Sequence, residues 1–328
     1  MKAVNCFRYG NHDALKIIDT KIPIPGDNDI LVKVHASTVN RTDCAMLKAK
    51  PVFMRLVTGL FKPKKKITGT DFAGIVEKTG KNVSNFKLGD KVFGFEDMGI
   101  KSHAEFLIIS DTNAIQLMPE NTSFEEATSS AEGVHYAYNF LNKVNIIPGQ
   151  KVLINGGTGA IGNATIQLAK YHDLEVTTTC RTEHIDALKA LGVNTVIDYT
   201  KEDFTKNNEK YDYVFDTVGK STFGKCKPIL KGNGIYISSE LGPGSQNVFY
   251  ALFTPWFSKK KVRFPYPPNR LRSLKFIKKL IEEGKFKPLI DKTYALDEAC
   301  EAFKYVITGQ KVGNVVLKIQ RNAEQSLI

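Results

Sequence analysis

The rhythm of apolar and polar residues changes partway along this chain. Up to about residue 120 it runs in strand-length stretches, at 30–36, 74–78 and 91–95. Turn signals such as Pro25-Gly26-Asp27, Thr79-Gly80 and Leu88-Gly89-Asp90 separate them. Residues 1–10 lack an apolar signal core and read as a first strand, and residues 42–48 predict one or two helical turns. Ser123 and Glu126 have the spacing of a capping box that opens a further helix. From there strand and helix alternate, the signature of a doubly wound parallel sheet. Strands are expected at 152–155, 174–180, 195–197, 213–215 and 234–238, with helices at 163–170 and 185–191, the latter ended by Gly192. Residues 272–281 form an amphipathic helical pattern. The last strand pattern, 312–319, comes after the sheet units have ended and is expected to return to the N-terminal domain. The reading is an α/β chain in which 1–122 and 286–328 make a small β-rich domain and 123–285 a Rossmann domain.

The junction of the first of these strands with its helix carries the clearest chemistry. Gly157-Thr158-Gly159-Ala160-Ile161-Gly162 follows an apolar strand and runs directly into an amphipathic helix. Glycines at this spacing permit a tight turn (expected at Gly157), a close phosphate approach (Gly159) and close helix–strand packing (Gly162). The helix then presents free N–H groups and its positive dipole end to a pyrophosphate. NAD or NADP binding follows. The next strand ends in Thr178-Thr179-Cys180, with Arg181 directly after, where an NAD site usually has a carboxylate for the ribose hydroxyls. A guanidinium there suits a 2′-phosphate, which favours NADP. The alternative is a solvated arginine beside Glu183. Tyr199, after the following strand, is placed to close over the adenine side. Thr217-Val218-Gly219 and Ser238 lie at carboxyl ends of later strands, the edge where open α/β sheets bind ligands, or else make ordinary strand-to-loop turns.

At 328 residues the chain is long enough for two domains, and no apolar run reaches membrane-spanning length. Its net charge of +12 gathers in clusters such as 62–66 and 259–263, but neither lies on a nucleic-acid-binding motif. A solvated basic surface that steers an anionic cofactor is the simpler reading. The five cysteines form no CxxC pair, which suits reduced thiols in a cytoplasmic protein. Residues 248–268 carry seven aromatics among lysines and prolines, more than a wet loop requires. Subunit contact and a substrate lid are the leading readings there, with membrane-surface contact a minor one.

The order of these parts resembles the medium-chain dehydrogenase/reductase superfamily over nearly the whole chain. The resemblance rests on Val39-Asn40 with Asp43, Gly69 with Asp71-Phe72-Ala73-Gly74, Gly89-Asp90-Lys91-Val92 with Gly94, the nucleotide loop, and Gly313-Asn314-Val315-Val316-Leu317. Within the superfamily it looks like the zinc-free quinone oxidoreductase branch. That implies a GroES-like catalytic domain from both chain ends flanking the Rossmann domain, Asn314 near the cofactor, and a homodimer. Zinc-dependent relatives carry a cysteine where this chain has Asn40 and a His-Glu pair where it has Thr70-Asp71. Asparagine and threonine are poor zinc ligands, and the six histidines show no ligand-pair spacing, so no zinc is expected.

Without a Lewis acid, a conjugated acceptor is easier to reduce than a simple carbonyl, because hydride addition leaves a delocalised oxyanion. The reading is therefore an enzyme that reduces a small apolar quinone or enone with NADPH. It needs no nucleic acid and no stable membrane insertion. Residues 50–66, with Phe53, Met54, Leu56 and Phe61, would suit such an acceptor. The resemblance puts Asn40 close to the nicotinamide, either orienting substrate or simply fixing its loop. Asp43 reads as a capping carboxylate. His135 stands where the family often has threonine and is a candidate proton donor, with Tyr136 the second, although a lone histidine is usually structural. The competing reading is a cofactor-binding regulatory protein of the same fold without turnover.

Overall fold

A computed structural model of the chain describes residues 1–50, 55–265 and 269–320. The first strands and helices are β1 (Lys2–Cys6), β2 (Leu15–Asp19), β3 (Asp29–Val39), α1 (Arg41–Lys48), α2 (Arg55–Thr58), β4 (Asp71–Thr79) and β5 (Lys91–Phe95). There follow β6 (Phe106–Ser110), β7 (Ile115–Leu117), α3 (Phe124–Ser129), α4 (Glu132–Leu141), β8 (Lys151–Asn155), α5 (Ala160–Tyr171) and β9 (Glu175–Cys180). Next are α6 (Ile185–Lys189), β10 (Thr195–Asp198), β11 (Tyr211–Asp216), α7 (Phe223–Cys226), β12 (Leu230–Ser238) and α8 (Gln246–Phe257). β13 (Lys261–Arg263), α9 (Arg270–Glu282), β14 (Ile290–Ala295), α10 (Ala299–Ile307) and β15 (Asn314–Lys318) complete the order.

These elements divide into two units, 1–132 with 270–328, and 133–269. In the first, seven strands run β14-β15-β3-β4-β5-β7, with β6 also paired to β3. β15 returns from the C-terminus to lie antiparallel on β3, Val315 opposite Val39, as the sequence pattern leads one to expect. In the second unit all strands are parallel, in the order β10-β9-β8-β11-β12-β13. Renumbered within the unit this is 3-2-1-4-5-6, the dinucleotide-binding order that reverses between β8 and β11. Among the described residues no helix is long and apolar enough to cross a membrane.

The boundaries differ from the sequence expectation at both ends of the second unit. Residues 123–132 and 270–285 belong with the β-rich unit. The reason is packing: Ala127 and Ala131, and Leu274 of α9, are enclosed in one cluster with Phe93 and Phe95 of β5. α3 opens with the expected capping box, Ser123 Oγ accepting from the Glu126 N–H at 3.1 Å. The aromatic stretch is not a loop; most of its first half is α8.

Candidate active site

The glycine loop bridges β8 and α5 at the point where the strand order reverses. Gly156 makes the turn, at φ +90°, rather than Gly157. A Cβ on Gly156 would lie 2.4 Å from Val218 Cγ1, and one on Gly157 would lie 2.2 Å from Thr178 Oγ1. Gly157 therefore serves packing. So does Gly162, whose Cβ would lie 2.0 Å from the Gly156 carbonyl oxygen. Gly159 differs: its Cβ would meet only that carbonyl, at 3.7 Å. The open side of Gly159, the partly exposed Thr158, Ala160 and Ile161, and an α5 start with no side-chain cap and no acid in its first turn suit an incoming pyrophosphate. These residues fit a dinucleotide.

Asn155 and Thr179 hold this loop in place. Thr179 Oγ1 donates to Asn155 Oδ1 at 2.7 Å and accepts from the Gly156 N–H at 2.9 Å. Asn155 Nδ2 donates to Asp216 Oδ1 at 2.9 Å, and Asp216 Oδ2 accepts from Ser221 N–H at 2.9 Å and the Tyr236 hydroxyl at 3.2 Å. Thr217 Oγ1 donates to the Asn155 carbonyl at 2.8 Å, Val218 covers Gly156, and Gly219, at φ +63°, lies against Glu240. Ser238 is buried, its hydroxyl accepting from the Glu240 N–H at 3.2 Å. Thr179 and Cys180, expected beside the ribose, are both buried, on opposite faces of a parallel sheet that is covered on both sides. Arg181 and Tyr199 do reach the surface, with Arg181 Nε donating to the Tyr199 hydroxyl at 3.1 Å. Glu183 lies 3.9 Å from Arg181.

In the β-rich unit, β3 leads into Asn40, which caps α1. Asn40 Oδ1 accepts from the Asp43 N–H and Asp43 Oδ2 from the Asn40 N–H, both at 3.0 Å, so Asp43 is the capping carboxylate that its spacing suggests. Asn40 Nδ2 donates to Thr70 Oγ1 at 2.8 Å and also to Glu132 Oε2. Thr70 Oγ1 passes the chain on to Glu132 Oε2 at 2.6 Å, and the Thr42 hydroxyl donates to Glu132 Oε1. Beside them Asp71 accepts from the Thr38 N–H at 2.7 Å and the Thr128 hydroxyl at 2.9 Å.

Three carboxyls thus lie buried in one neighbourhood, and their proton affinities show it. Burial, with the charges of Asp71 and Asp97, pushes Glu132 up to about 8, against the pull of the Thr42 and Thr70 hydroxyls. Burial raises Asp71 to about 6 in spite of its Thr38 bonds, and burial with the nearby Glu132 raises Asp43 well above the carboxylate range. Half-buried Lys311 is lowered to about 8 by desolvation and by Arg41. Glu132 is the member that sequence reasoning passed over. Its signal was a carboxylate among small and apolar residues, Ala131-Glu132-Gly133-Val134, on a face that had to be buried.

The donor set does not suit zinc. Asn40 spends its oxygen on Asp43 and its N–H groups on Thr70 and Glu132, and among the described residues no three His, Cys, Asp or Glu gather as a metal site. His135 is wholly enclosed, its Nε2 3.0 Å from Asn139 Nδ2, and its ring meets the partly exposed Tyr136 edge-on at 5.6 Å. Asn314 is in the β-rich unit, its amide donating to the Leu289 carbonyl at 3.0 Å. Leu56 and Phe61 are exposed; Phe53 and Met54 lie outside the described residues.

Known proteins share this arrangement. A family described as alcohol dehydrogenase GroES-like domain matches residues 26–122, and one described as zinc-binding dehydrogenase matches 191–317. The 2-methylene-furan-3-one reductase of Solanum lycopersicum is 31% identical over 97% of this chain and 79% of its own length. The chain belongs to the medium-chain dehydrogenase/reductase superfamily, in its quinone oxidoreductase-like branch. The NADPH-dependent alkenal/one oxidoreductase of Arabidopsis thaliana chloroplasts is 29% identical, covering 97% of this chain and 79% of that one. Among solved structures, the quinone oxidoreductase from Coxiella burnetii superposes with a TM-score of 0.84 at 29% identity, covering 98% of this chain and 99% of that one. The chain thus belongs to a family of Rossmann-type NAD(P)-binding dehydrogenases.

Proposed function

We propose that this chain is an NADPH-dependent reductase that adds hydride to a quinone or to the β-carbon of an α,β-unsaturated carbonyl, without a metal. The observation that carries the reading is the Asn40–Thr70–Glu132 cluster, an amide, a hydroxyl and a proton-holding carboxyl that satisfy one another where zinc-dependent relatives keep ligands. The names of the tomato and Arabidopsis relatives and of the Coxiella structure support the same substrate class.

A bound nicotinamide supplies the hydride. The chain's own residues supply position and protons. Uncapped N–H groups of α5 and the open face of Gly159 receive the pyrophosphate. Arg181, braced by the Tyr199 hydroxyl, supplies charge for a 2′-phosphate, which favours NADPH over NADH. Asn40 orients the acceptor, and Glu132 fixes the Asn40 amide while carrying a proton near neutral pH. Reduction of an enone leaves an enolate that takes one proton at carbon, so a site that holds protons near neutrality matches the need. His135 acts through Tyr136 and α4 as a positioning residue, in keeping with its burial.

The test is NADPH oxidation, with NADH in parallel, against one quinone and one alkenal, with and without a chelator. Turnover that prefers NADPH and ignores the chelator is expected. Tight NADPH binding without turnover on a broad acceptor panel would instead favour a regulatory protein of the same fold.

A further inference from the structure

α8 turns a continuous apolar stripe outward. Phe249, Leu252, Phe253, Trp256 and Phe257 recur at helical spacing and are 65%, 63%, 50%, 82% and 84% exposed. Its other face is anchored: Asn247 Nδ2 donates to the Glu240 carbonyl at 2.8 Å, the Val262 N–H donates to Thr254 Oγ1 at 2.9 Å, and Tyr250 packs on Phe223. The stripe is therefore a fixed surface. It exposes roughly 700 Å² of apolar area, beyond the largest patch of a typical monomer.

The charge beside it has one sign. Lys259, Lys260, Lys261 and Arg263 follow the helix directly, and Lys259, Lys261 and Arg263 line one recess with Trp256 and Phe257. No Asp or Glu occurs anywhere from 241 to 281. Lys260 and Arg263 donate to the uncharged carbonyls of Lys227 and Lys143, so those bonds leave their charge unbalanced. A two-fold contact between copies would set this patch against itself and place two sets of cations in one interface, with no acid from 241 to 281 to balance them. An anionic lipid surface complements both halves, apolar residues entering the headgroup–acyl boundary and cations meeting the headgroups.

We infer that α8 with the 259–263 cations is a docking site for the surface of an anionic membrane. The site is independent of the hydride chemistry proposed above. It would bring the protein to a phase in which apolar molecules dissolve. Docking of this kind is peripheral and reversible.

Trp256 is the chain's only tryptophan, so the full-length protein carries its own reporter. Its emission and acrylamide quenching are read with phosphatidylcholine vesicles, with and without phosphatidylglycerol. The expected result is a solvated indole in buffer, and a blue shift with loss of quenching on the anionic vesicles that added salt reverses. Lys259→Gln with Lys261→Gln should weaken partitioning about fivefold per charge. Phe253→Ser with Phe257→Ser should abolish it without lowering the thermal midpoint. An unchanged spectrum on anionic vesicles would overturn the inference. So would a blue-shifted indole in lipid-free buffer together with a two-chain mass by light scattering, which would mean that a second copy covers the stripe.

Discussion

Replacing Glu132 with glutamine tests the buried cluster most directly, because it removes the titrating group and keeps the side chain's length. Glu132 rises from 4.5 to about 8. At roughly 1.4 kcal/mol per unit, ionising this carboxyl costs about 5 kcal/mol more in the folded chain than in the unfolded one. The folded state holds the proton more tightly than the unfolded one. Stability therefore falls as pH rises from about 4.5 through about 8: there is no penalty below that window and the full penalty above it. The glutamine amide cannot ionise, but its NH2 stands where the carboxylic acid has a hydroxyl oxygen that can both donate and accept, which leaves one acceptor fewer for Asn40, Thr42 and Thr70, a loss of about 1 kcal/mol. Glu132→Gln should thus be slightly less stable than the parent near pH 5 and more stable by a few kcal/mol near pH 9.

Neighbouring groups shape both curves, and those that feel the Glu132 charge, Asp43 and Lys311 among them, also enter the difference. Asp71, raised to about 6, and Asp43, raised as well, have the same sign as Glu132. His103, depressed to about 4 by burial, adds stability as pH climbs from there toward 6.5, and Lys311, depressed to about 8, adds it as pH climbs toward 10.5. Urea unfolding of both proteins across this range, followed by circular dichroism, gives the difference curve. A flat difference from pH 5 to about 9 would refute the reasoning, since it would mean that Glu132 titrates as an ordinary exposed carboxylate.

Three further outcomes follow from the same geometry. Arg181→Gln should weaken NADPH about tenfold and leave NADH unchanged, as expected for loss of one charge-assisted contact; a parent enzyme equally efficient with both coenzymes would show that Arg181 reads no phosphate. Gly162→Ala puts a methyl group 2.0 Å from the Gly156 carbonyl oxygen, and should cost about 1–3 kcal/mol and abolish dinucleotide binding; an unchanged thermal midpoint would contradict the packing role. His135→Ala should lower the thermal midpoint, through a cavity and an orphaned Asn139 worth about 2 kcal/mol or more, while leaving the pH profile of kcat in place. Loss of a titration near neutral pH from that profile would make His135 the proton donor.

Much of the architecture is legible because it rests on local chemistry. Strand 91–95 matches β5 end to end, the Ser123–Glu126 box opens α3, and the alternation after residue 150 gives five of the six parallel strands, while β13 falls inside the aromatic segment and is not among those expected. What cannot be read is partnership. The patterns at 124–129 and 270–282 say that one face is buried but not against which sheet, so the sequence reading puts both segments in the wrong unit. Which glycine takes positive φ depends on how the chain leaves β8, and the turn falls to Gly156, one residue before the motif. Thr179 and Cys180 are at the right end of the right strand, yet a parallel sheet covered on both faces buries them both, one on each side. In 248–268 the aromatic count draws attention first, although the spacing 249, 252, 253, 256, 257 already has a helical period.

The buried cluster explains why Glu132 and Asn40 have to be considered together. An amide at Asn40 brings two N–H donors to a half-buried position beside the buried Thr70 and Glu132, and donors that lose water need acceptors. Thr70 accepts one and returns a hydroxyl donor of its own, and Thr42 adds another. Three donors converge on a single side chain, and a carboxyl is the one type that can accept them all on two oxygens. Placing it there, with Asp71 close by, raises its proton affinity, because burial and a like charge both oppose ionisation. Burial and the neighbouring acids thus make Glu132 hold its proton, and the Thr42 and Thr70 hydroxyls act against them. It follows that Thr42→Val with Thr70→Val, which removes two of its three donors without adding a charge, should raise the proton affinity of Glu132 further, and urea unfolding across pH should show its titration moved upward.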